Sequence, residues 1–155
     1  CRHILSIDKG SFKAIRDTLK RVHKVPLPAD PAIDYSLADH RAAFTAYLEF
    51  LRGNLNGQTS VRVDPVWATQ NHLLQGMGEF ALPDVIVRED TLYRDLARLA
   101  DDVGAVPAPL PEAIADMPYN LGEIYDAELE TLAQDVYQRD YVIFGFKDWV
   151  AVPDS

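Results

Sequence analysis

The spacing of apolar residues along most of the chain is that of amphipathic helices. Phe12, Ile15, Leu19 and Val22 recur every three or four positions after Ser11, whose hydroxyl can cap a helix. This pattern predicts a helix over residues 11–24, which ends where three prolines fall within residues 25–31. Similar patterns predict helices over residues 36–53, 91–103 and 123–138, and a short helix within residues 67–77.

Two short apolar runs indicate strands rather than helices. Residues 84–87 read Asp-Val-Ile-Val and residues 141–146 read Tyr-Val-Ile-Phe-Gly-Phe, both rich in β-branched or aromatic side chains. Residues 61–63 are a third, shorter extended candidate. We therefore predict an α/β fold that is rich in helices. Its few scattered strands would be outer members of a larger parallel sheet.

The composition is that of one globular domain. The chain has 155 residues, of which 48% are hydrophobic and 25% charged. No apolar run reaches the roughly 18 residues that a membrane-spanning helix requires. A single Cys cannot form an internal disulfide, so a reducing compartment is allowed but the location stays open. Four His and one Cys give no paired-cysteine zinc site, and we predict no metal.

Charge is distributed unevenly. The net charge of −9 argues against a general nucleic-acid binder. Residues 1–24, however, carry seven Lys and Arg against two Asp, a balance of +5, so the remainder carries −14. A basic segment on an acidic protein can face a small anionic ligand, and it can equally be a solvated helix face.

No phosphate-binding glycine loop, dinucleotide fingerprint or nucleophile elbow occurs in the sequence. Glu89 and Asp90 follow a predicted strand end, which is where α/β proteins often place functional groups. Asp90 can alternatively cap the helix that follows. Glu89 is the one candidate for a general base that this pattern offers.

Four short sequence motifs, called phrases below, are informative because of the order in which they occur. Residues 2–9 read Arg-His-Ile-Leu-Ser-Ile-Asp-Lys, and residues 64–70 read Asp-Pro-Val-Trp-Ala-Thr-Gln. Residues 85–99 combine the predicted strand, Arg-Glu and a helix, and residues 128–146 end in Tyr-Gln-Arg-Asp-Tyr-Val-Ile-Phe-Gly-Phe. Together they resemble the sulfotransferase family that includes the chondroitin, dermatan and HNK-1 carbohydrate sulfotransferases and bacterial relatives. The resemblance covers nearly the whole chain.

This resemblance implies an activity and a donor. Such enzymes move a sulfuryl group from 3'-phosphoadenosine 5'-phosphosulfate (PAPS) to a hydroxyl, usually of a carbohydrate, and have a P-loop-like fold. The chain would be the helix-rich C-terminal portion of that fold, a single domain over residues 1–155 that lacks the N-terminal donor-binding half and is inactive alone. Ser6 matches the serine that holds the 3'-phosphate, and Arg2 matches a neighbouring arginine of the same phrase. A cytoplasmic location is the expectation for a bacterial relative.

The acceptor side of the resemblance is incomplete. The family's His-Trp-x-Pro-Gln phrase has Val66 in place of His and Thr69 in place of Pro, whereas Trp67 and Gln70 are kept. An aromatic face and an amide suit a sugar ring, so Trp67 and Gln70 are candidate acceptor contacts. They can equally be a core Trp and a surface Gln. The closing Tyr137, Asp140, Tyr141 and Phe144 are expected to pack and cap.

The sequence therefore predicts a PAPS-dependent sulfotransferase, with a carbohydrate or small hydroxylated molecule as acceptor. Ser6 can alternatively be a buried residue whose hydroxyl forms a hydrogen bond within its own helix. Two other functions stay open: a non-enzymatic helical binding module or degenerate relative, which the loss of His at Val66 favours, and a different P-loop-like transferase such as a kinase.

Overall fold

A computed structural model describes residues 2–5, 12–27, 35–106, 109 and 119–149 of the chain. Eight α-helices lie in this part: α1 Arg2–Leu5, α2 Lys13–Arg21, α3 Leu37–Leu55, α4 Gln70–Gly78, α5 Leu92–Val103, α6 Leu121–Ile124, α7 Ala127–Val136 and α8 Gln138–Phe144. A 3-10 turn, Glu89–Thr91, precedes α5. Within the described ranges, no helix has the length and apolar character needed to cross a membrane.

The predicted α/β class is wrong for the described part of the chain, because those residues form helices and turns and contain no strand. Residues 84–87 are not paired with another segment, and Val85 and Ile86 are 53% and 54% exposed. A β-branched run forms a strand only where a neighbouring strand accepts its backbone hydrogen bonds. The extended candidate at residues 61–63 is likewise irregular.

The second predicted strand, residues 141–146, is mostly helix. It belongs to α8, in which Asp140 is buried and Tyr141 and Phe144 are partly buried, while Val142 and Ile143 are 76% and 55% exposed. This burial follows the three- to four-residue period of a helix and not the two-residue period of a strand. Gly145 ends the helix with a φ of 61°, a left-handed conformation that glycine adopts without steric cost.

The ends of the long helices follow local capping chemistry. The predicted capping arrangement at Ser36 and Asp39 is confirmed, because each side chain accepts a hydrogen bond from the other residue's backbone N–H. The predicted end at Gly53 is wrong by two residues, since α3 continues to Leu55. The single helix predicted over residues 123–138 is divided, because Asp126 caps a new helix with its carboxylate.

The structure divides into two compact units, Cys1–Leu73 with Asp116–Ser155, and Leu74–Ala115. In the first unit, α3 is the central element and packs against α7, α6 and α1. Its inward side chains recur at helical spacing: Ala43, Phe44, Tyr47, Leu48 and Leu51. Leu19 of α2, Trp67, Ile124 and Leu129 complete much of the same core. This core supports every hydrogen-bonded cluster of the first unit described below.

The second unit contains the 3-10 turn and α5. Gly104 ends α5 in a left-handed conformation, as the sequence predicts. Several large apolar side chains of this unit are exposed, among them Phe80 at 92% and Leu82 at 83%. Single exposed apolar residues are ordinary. Between positions 77 and 86, however, this unit exposes five large ones, namely Met77, Phe80, Leu82, Val85 and Ile86.

Candidate functional site

The predicted site residues fall in different parts of the structure. Arg2 lies in α1, but its side chain is outside the described residues, as is the whole of Ser6. Trp67 and Gln70 belong to the first unit; Gln70 begins α4, and Trp67 lies in the turn that precedes it. Glu89 is exposed at the start of the 3-10 turn in the second unit. Trp67 and Gln70, the two predicted acceptor contacts, therefore lie within one unit.

Trp67 is a core residue with an exposure of only 2%. Its indole N–H donates to the side-chain oxygen of Asn54 at 2.9 Å, and Asn54 is itself 2% exposed. The Asn54 amide donates in turn to the hydroxyl of Thr59 at 2.8 Å and to the carbonyl of Val61 at 2.6 Å. The indole therefore has no face open to a sugar, and it anchors residues 59–67 to α3 instead.

Gln70 is the first residue of α4, and its side chain is exposed. Its backbone N–H donates to one carboxylate oxygen of Asp140 at 2.7 Å, and the N–H of Asn71 donates to the other at 3.0 Å. A carboxylate at this position satisfies amides that a helix start leaves unpaired and interacts favourably with the helix dipole. The prediction that Asp140 is a capping residue is confirmed, although it caps a helix seventy positions away.

Tyr137 fixes the same segment from a second direction. Its hydroxyl donates to the backbone carbonyl of Trp67 at 3.0 Å. Burial, with a smaller contribution from the nearby negative charge of Asp140, raises the pKa of Tyr137 to about 12. The phenol therefore stays protonated and able to donate throughout the physiological range.

A groove with a volume of about 560 Å³ opens beside this segment. Its walls combine apolar side chains with three polar ones, and they consist of Ile15, Val61, Arg62, Val63, Asp64, Pro65, Ala68, His72 and Leu73. Arg62 and His72 are exposed, and Asp64 is partly buried. Sequence reasoning missed all three polar residues. The sequence offers one indication of such a site: His72 follows Gln70 by two positions on the same helical turn.

Local hydrogen bonds hold the groove wall in place. Asp64 accepts the backbone N–H of Val66 at 3.0 Å, which shapes the turn that leads to Trp67. The Thr69 hydroxyl accepts the backbone N–H of His72 at 3.2 Å within the first turn of α4. Together with the contacts of Asp140 and Tyr137, these bonds hold the backbone that leads to His72.

Helix α2, which carries several basic residues, contributes Ile15 to the wall of the groove. Among the neighbours of Ile15 in this helix, Arg16 donates from its guanidinium to the carbonyl of Ile4 in α1 at 3.0 Å. This bond ties the basic helix to the segment that precedes Ser6. In the groove wall itself, Arg62 supplies a positive charge.

A second polar cluster centres on Glu130 in α7, which is 7% exposed. Its carboxylate accepts hydrogen bonds from the hydroxyls of Tyr125 at 2.6 Å and Tyr141 at 3.1 Å, and from the backbone N–H of Trp149 at 3.2 Å. The amide of Gln134 donates as well, at 3.0 Å. Burial alone would raise the pKa of Glu130, but these donors outweigh it and hold the pKa below the ordinary value.

A third cluster surrounds His40 near the start of α3. The ring is 2% exposed, and its Nδ1 lies 3.1 Å from the hydroxyl of Tyr35. The rings of Tyr35 and Tyr119 pack against it, and the Tyr119 hydroxyl donates to the carbonyl of Tyr35 at 2.9 Å. Burial lowers the pKa of His40, with a smaller opposing effect from Glu123. This cluster therefore favours the neutral form of the His40 imidazole.

Among the described residues, no group of His, Cys, Asp and Glu is arranged to hold a metal ion. Comparison of the chain with models of known protein families, with curated proteins and with solved structures gives no significant match.

Proposed function

We propose that the protein is a sulfotransferase that moves a sulfuryl group from PAPS to a hydroxyl of a carbohydrate or a small hydroxylated molecule. The proposal starts from the four ordered phrases and does not depend on a parallel sheet within the described residues. The observation that carries it is the physical connection between two of the phrases. Residues 64–70 and residues 128–146 meet through the hydrogen bonds of Asp140 and Tyr137.

That connection supports the proposal for a specific reason. Phrases that build one site must meet in the fold, and these two meet through specific hydrogen bonds within one compact unit. Asp140 and Tyr137 of the closing phrase fix the backbone of Gln70 and Trp67, which are the two residues kept from the acceptor phrase. The groove beside them offers apolar walls and a few polar groups, the usual composition of a small-molecule site.

The donor side of the proposal rests on Arg2, Ser6 and the positive charge of residues 1–24. A serine hydroxyl can donate to phosphate, and a nearby arginine can neutralise charge on it. During transfer, an acceptor oxygen forms a bond to sulfur as the bond from sulfur to the 5'-phosphate oxygen breaks. Positive groups that neutralise the departing phosphate lower the barrier, as in phosphoryl transfer.

Donor binding is the test of this proposal. The protein, expressed from its whole gene, is melted in the presence of 3'-phosphoadenosine 5'-phosphate (PAP), ADP or ATP. A ligand at one hundred times its dissociation constant stabilises the folded state by about 2.7 kcal/mol. We expect PAP to raise the melting temperature more than ADP or ATP, and Ser6→Ala to reduce the difference. Equal effects of ATP and PAP would favour a kinase-like transferase instead.

Transfer itself is measured with ³⁵S-labelled PAPS and a panel of oligosaccharide acceptors. Glu89 is the base candidate from the sequence, and Glu89→Gln tests it against the unmodified protein. A protein that neither binds PAP nor labels any acceptor would support the binding-module alternative, which Val66 at the family's His position favours.

A further inference from the structure

The groove beside α4 contains two side chains that can accept a proton, a carboxylate and an imidazole. Its polar residues are Arg62, Asp64 and His72. A guanidinium cannot accept a proton at physiological pH, and a carboxylate is a weaker base than an imidazole. Imidazole is the side chain best suited to exchange a proton near neutral pH. The groove therefore points to His72 as its proton acceptor.

The position of His72 adds a geometric argument. A general base must be held within hydrogen-bond reach of a bound substrate by a rigid support. His72 lies in the first turn of α4, and this turn is held by the Asp140 carboxylate and by the Thr69 hydroxyl. The preceding residues are held by Tyr137 at the Trp67 carbonyl.

The alternative positions are less suitable. Val66 stands where the resembling family has a His, but its side chain cannot accept a proton and does not line the groove. Trp67 is buried, and Glu89 is not among the residues that line the groove. A base for an acceptor in this groove has to come from the groove wall, where His72 is available.

We propose that the groove lined by Arg62, Asp64 and His72 binds the hydroxyl-bearing acceptor and that His72 is the general base of sulfuryl transfer. This inference rests on the proposed function. As the acceptor oxygen bonds to sulfur, its proton passes to the His72 imidazole. The bond from sulfur to the 5'-phosphate oxygen breaks, PAP leaves with that electron pair, and the imidazolium then releases its proton to water.

The apolar walls and the two other polar groups suit a sugar. Val61, Val63 and Leu73 offer surface for the apolar face of a pyranose ring. Asp64 has an oxygen that does not bond Val66, and among the described residues no other donor contacts it, so it can accept a sugar hydroxyl. Arg62 can donate to ring or hydroxyl oxygens.

The experiment compares His72→Gln and His72→Ala with the unmodified protein, each expressed from the whole gene. The acceptors are unsulfated chondroitin oligosaccharides and N-acetylglucosamine oligosaccharides, with ³⁵S-labelled PAPS as donor. We expect both variants to keep the rise in melting temperature caused by PAP, while kcat falls by about 10²- to 10⁴-fold. Added imidazole should restore part of the activity of His72→Ala and none of that of His72→Gln, whose larger side chain fills the position.

The matched control is Gln75→Ala, an exposed substitution on the same helix but outside the groove wall, which should leave kcat unchanged. A fall in kcat of less than about threefold in His72→Gln, with PAP binding intact, would overturn the base assignment while leaving the proposed function in place. Absence of both PAP binding and transfer in the unmodified protein would overturn the proposed function, and the base assignment with it. Intact melting curves without ligand exclude misfolding as the cause.

Discussion

The carboxylate of Asp140 accepts a hydrogen bond from the backbone N–H of Gln70 at 2.7 Å, although seventy residues separate the two in the sequence. The same carboxylate accepts the N–H of Asn71. Asp140 is only 3% exposed, so these bonds form away from competing water. This contact joins α8 to the start of α4 and supports the wall of the groove.

Removing this carboxylate should destabilise the protein. We expect Asp140→Ala to lower the free energy of unfolding by about 2–3 kcal/mol, because two charge-assisted hydrogen bonds at a helix start are lost. Asp140→Asn, which keeps one acceptor oxygen, should cost roughly half as much. Urea denaturation measures both, with the exposed Asp135→Asn as a control that should stay within about 0.5 kcal/mol. Equal stability of all three variants would contradict the capping role.

The helices were largely predictable because their signals are local. The capping pair at Ser36 and Asp39 and the left-handed Gly104 are both visible in a few neighbouring residues. The strand at residues 84–87 was predicted wrongly because β-branched composition states a preference and cannot supply a pairing partner. Residues 141–146 were predicted wrongly because their continuous apolar run hides a helical period of burial that only the tertiary contacts reveal.

The site was predicted less well than the helices, for a physical reason. The acceptor phrase points to both Trp67 and Gln70. The burial of Trp67, however, involves a hydrogen bond to Asn54, which lies thirteen positions before Trp67. The groove depends on α2 approaching residues 61–73, a long-range packing event that no short window of sequence contains. His72 was overlooked because a single histidine has no local signature of function.

Asn54 is the next residue to test, because it satisfies three partners from a nearly buried position. We expect Asn54→Ala to lower the free energy of unfolding by about 2–4 kcal/mol, since the Trp67 indole N–H and the Val61 carbonyl lose their partner and a cavity forms. Denaturation followed by tryptophan fluorescence in a Trp149→Phe background measures this change at Trp67. The neighbouring Asn56→Ala is the control, because Asn56 is exposed and bonds only within its own helix end. An effect of similar size in both variants would contradict the special role of Asn54.

His40 should make the stability depend on pH. Burial lowers its pKa in the folded state, so the unfolded chain binds the proton more readily than the folded protein. The contribution of His40 is therefore complete above the ordinary histidine pKa of about 6.5 and decreases as the pH falls below it. We expect the free energy of unfolding to drop between pH 7.5 and 5.5, and the drop to be smaller in His40→Gln. The other three histidines are present in both proteins, so an unchanged drop would assign the effect to them.

The exposure of residues 84–87 can be checked chemically. In a Cys1→Ser background the chain has no other thiol, so Ile86→Cys carries a single reactive group. We expect it to react with a thiol reagent nearly as fast as in the unfolded chain, because Ile86 is 54% exposed. Leu51→Cys, at a fully buried position of α3, should react on the order of 10³-fold more slowly. Protection of Ile86→Cys comparable to that of Leu51→Cys would mean that the segment is a buried strand after all.

Glu130 links α7 to the C-terminal segment and should release it in acid. The hydrogen-bond donors around the carboxylate outweigh the effect of burial and hold its pKa below the ordinary value, so the folded protein favours the ionised form. Its contribution is complete above the ordinary glutamate pKa of about 4.3 and is lost as the pH falls through the lower pKa of the folded state. We expect the contact with the Trp149 backbone N–H, 3.2 Å long at Glu130, to weaken over that range.

The two tryptophans allow this release to be separated from unfolding. Trp67 lies in the core and Trp149 lies beside Glu130 and packs its ring on Tyr125, so their amide and indole NMR signals report on different regions. On acidification below pH 4.3, the Trp149 signals should move first, while those of Trp67 stay in place until the core unfolds. Glu130→Ala has neither acceptor oxygen, so its Trp149 signals should show the released position already at neutral pH and change little with acid. Simultaneous movement of both tryptophans in the unmodified protein would mean that acid acts on the whole first unit, and Glu130 would then not be a local anchor.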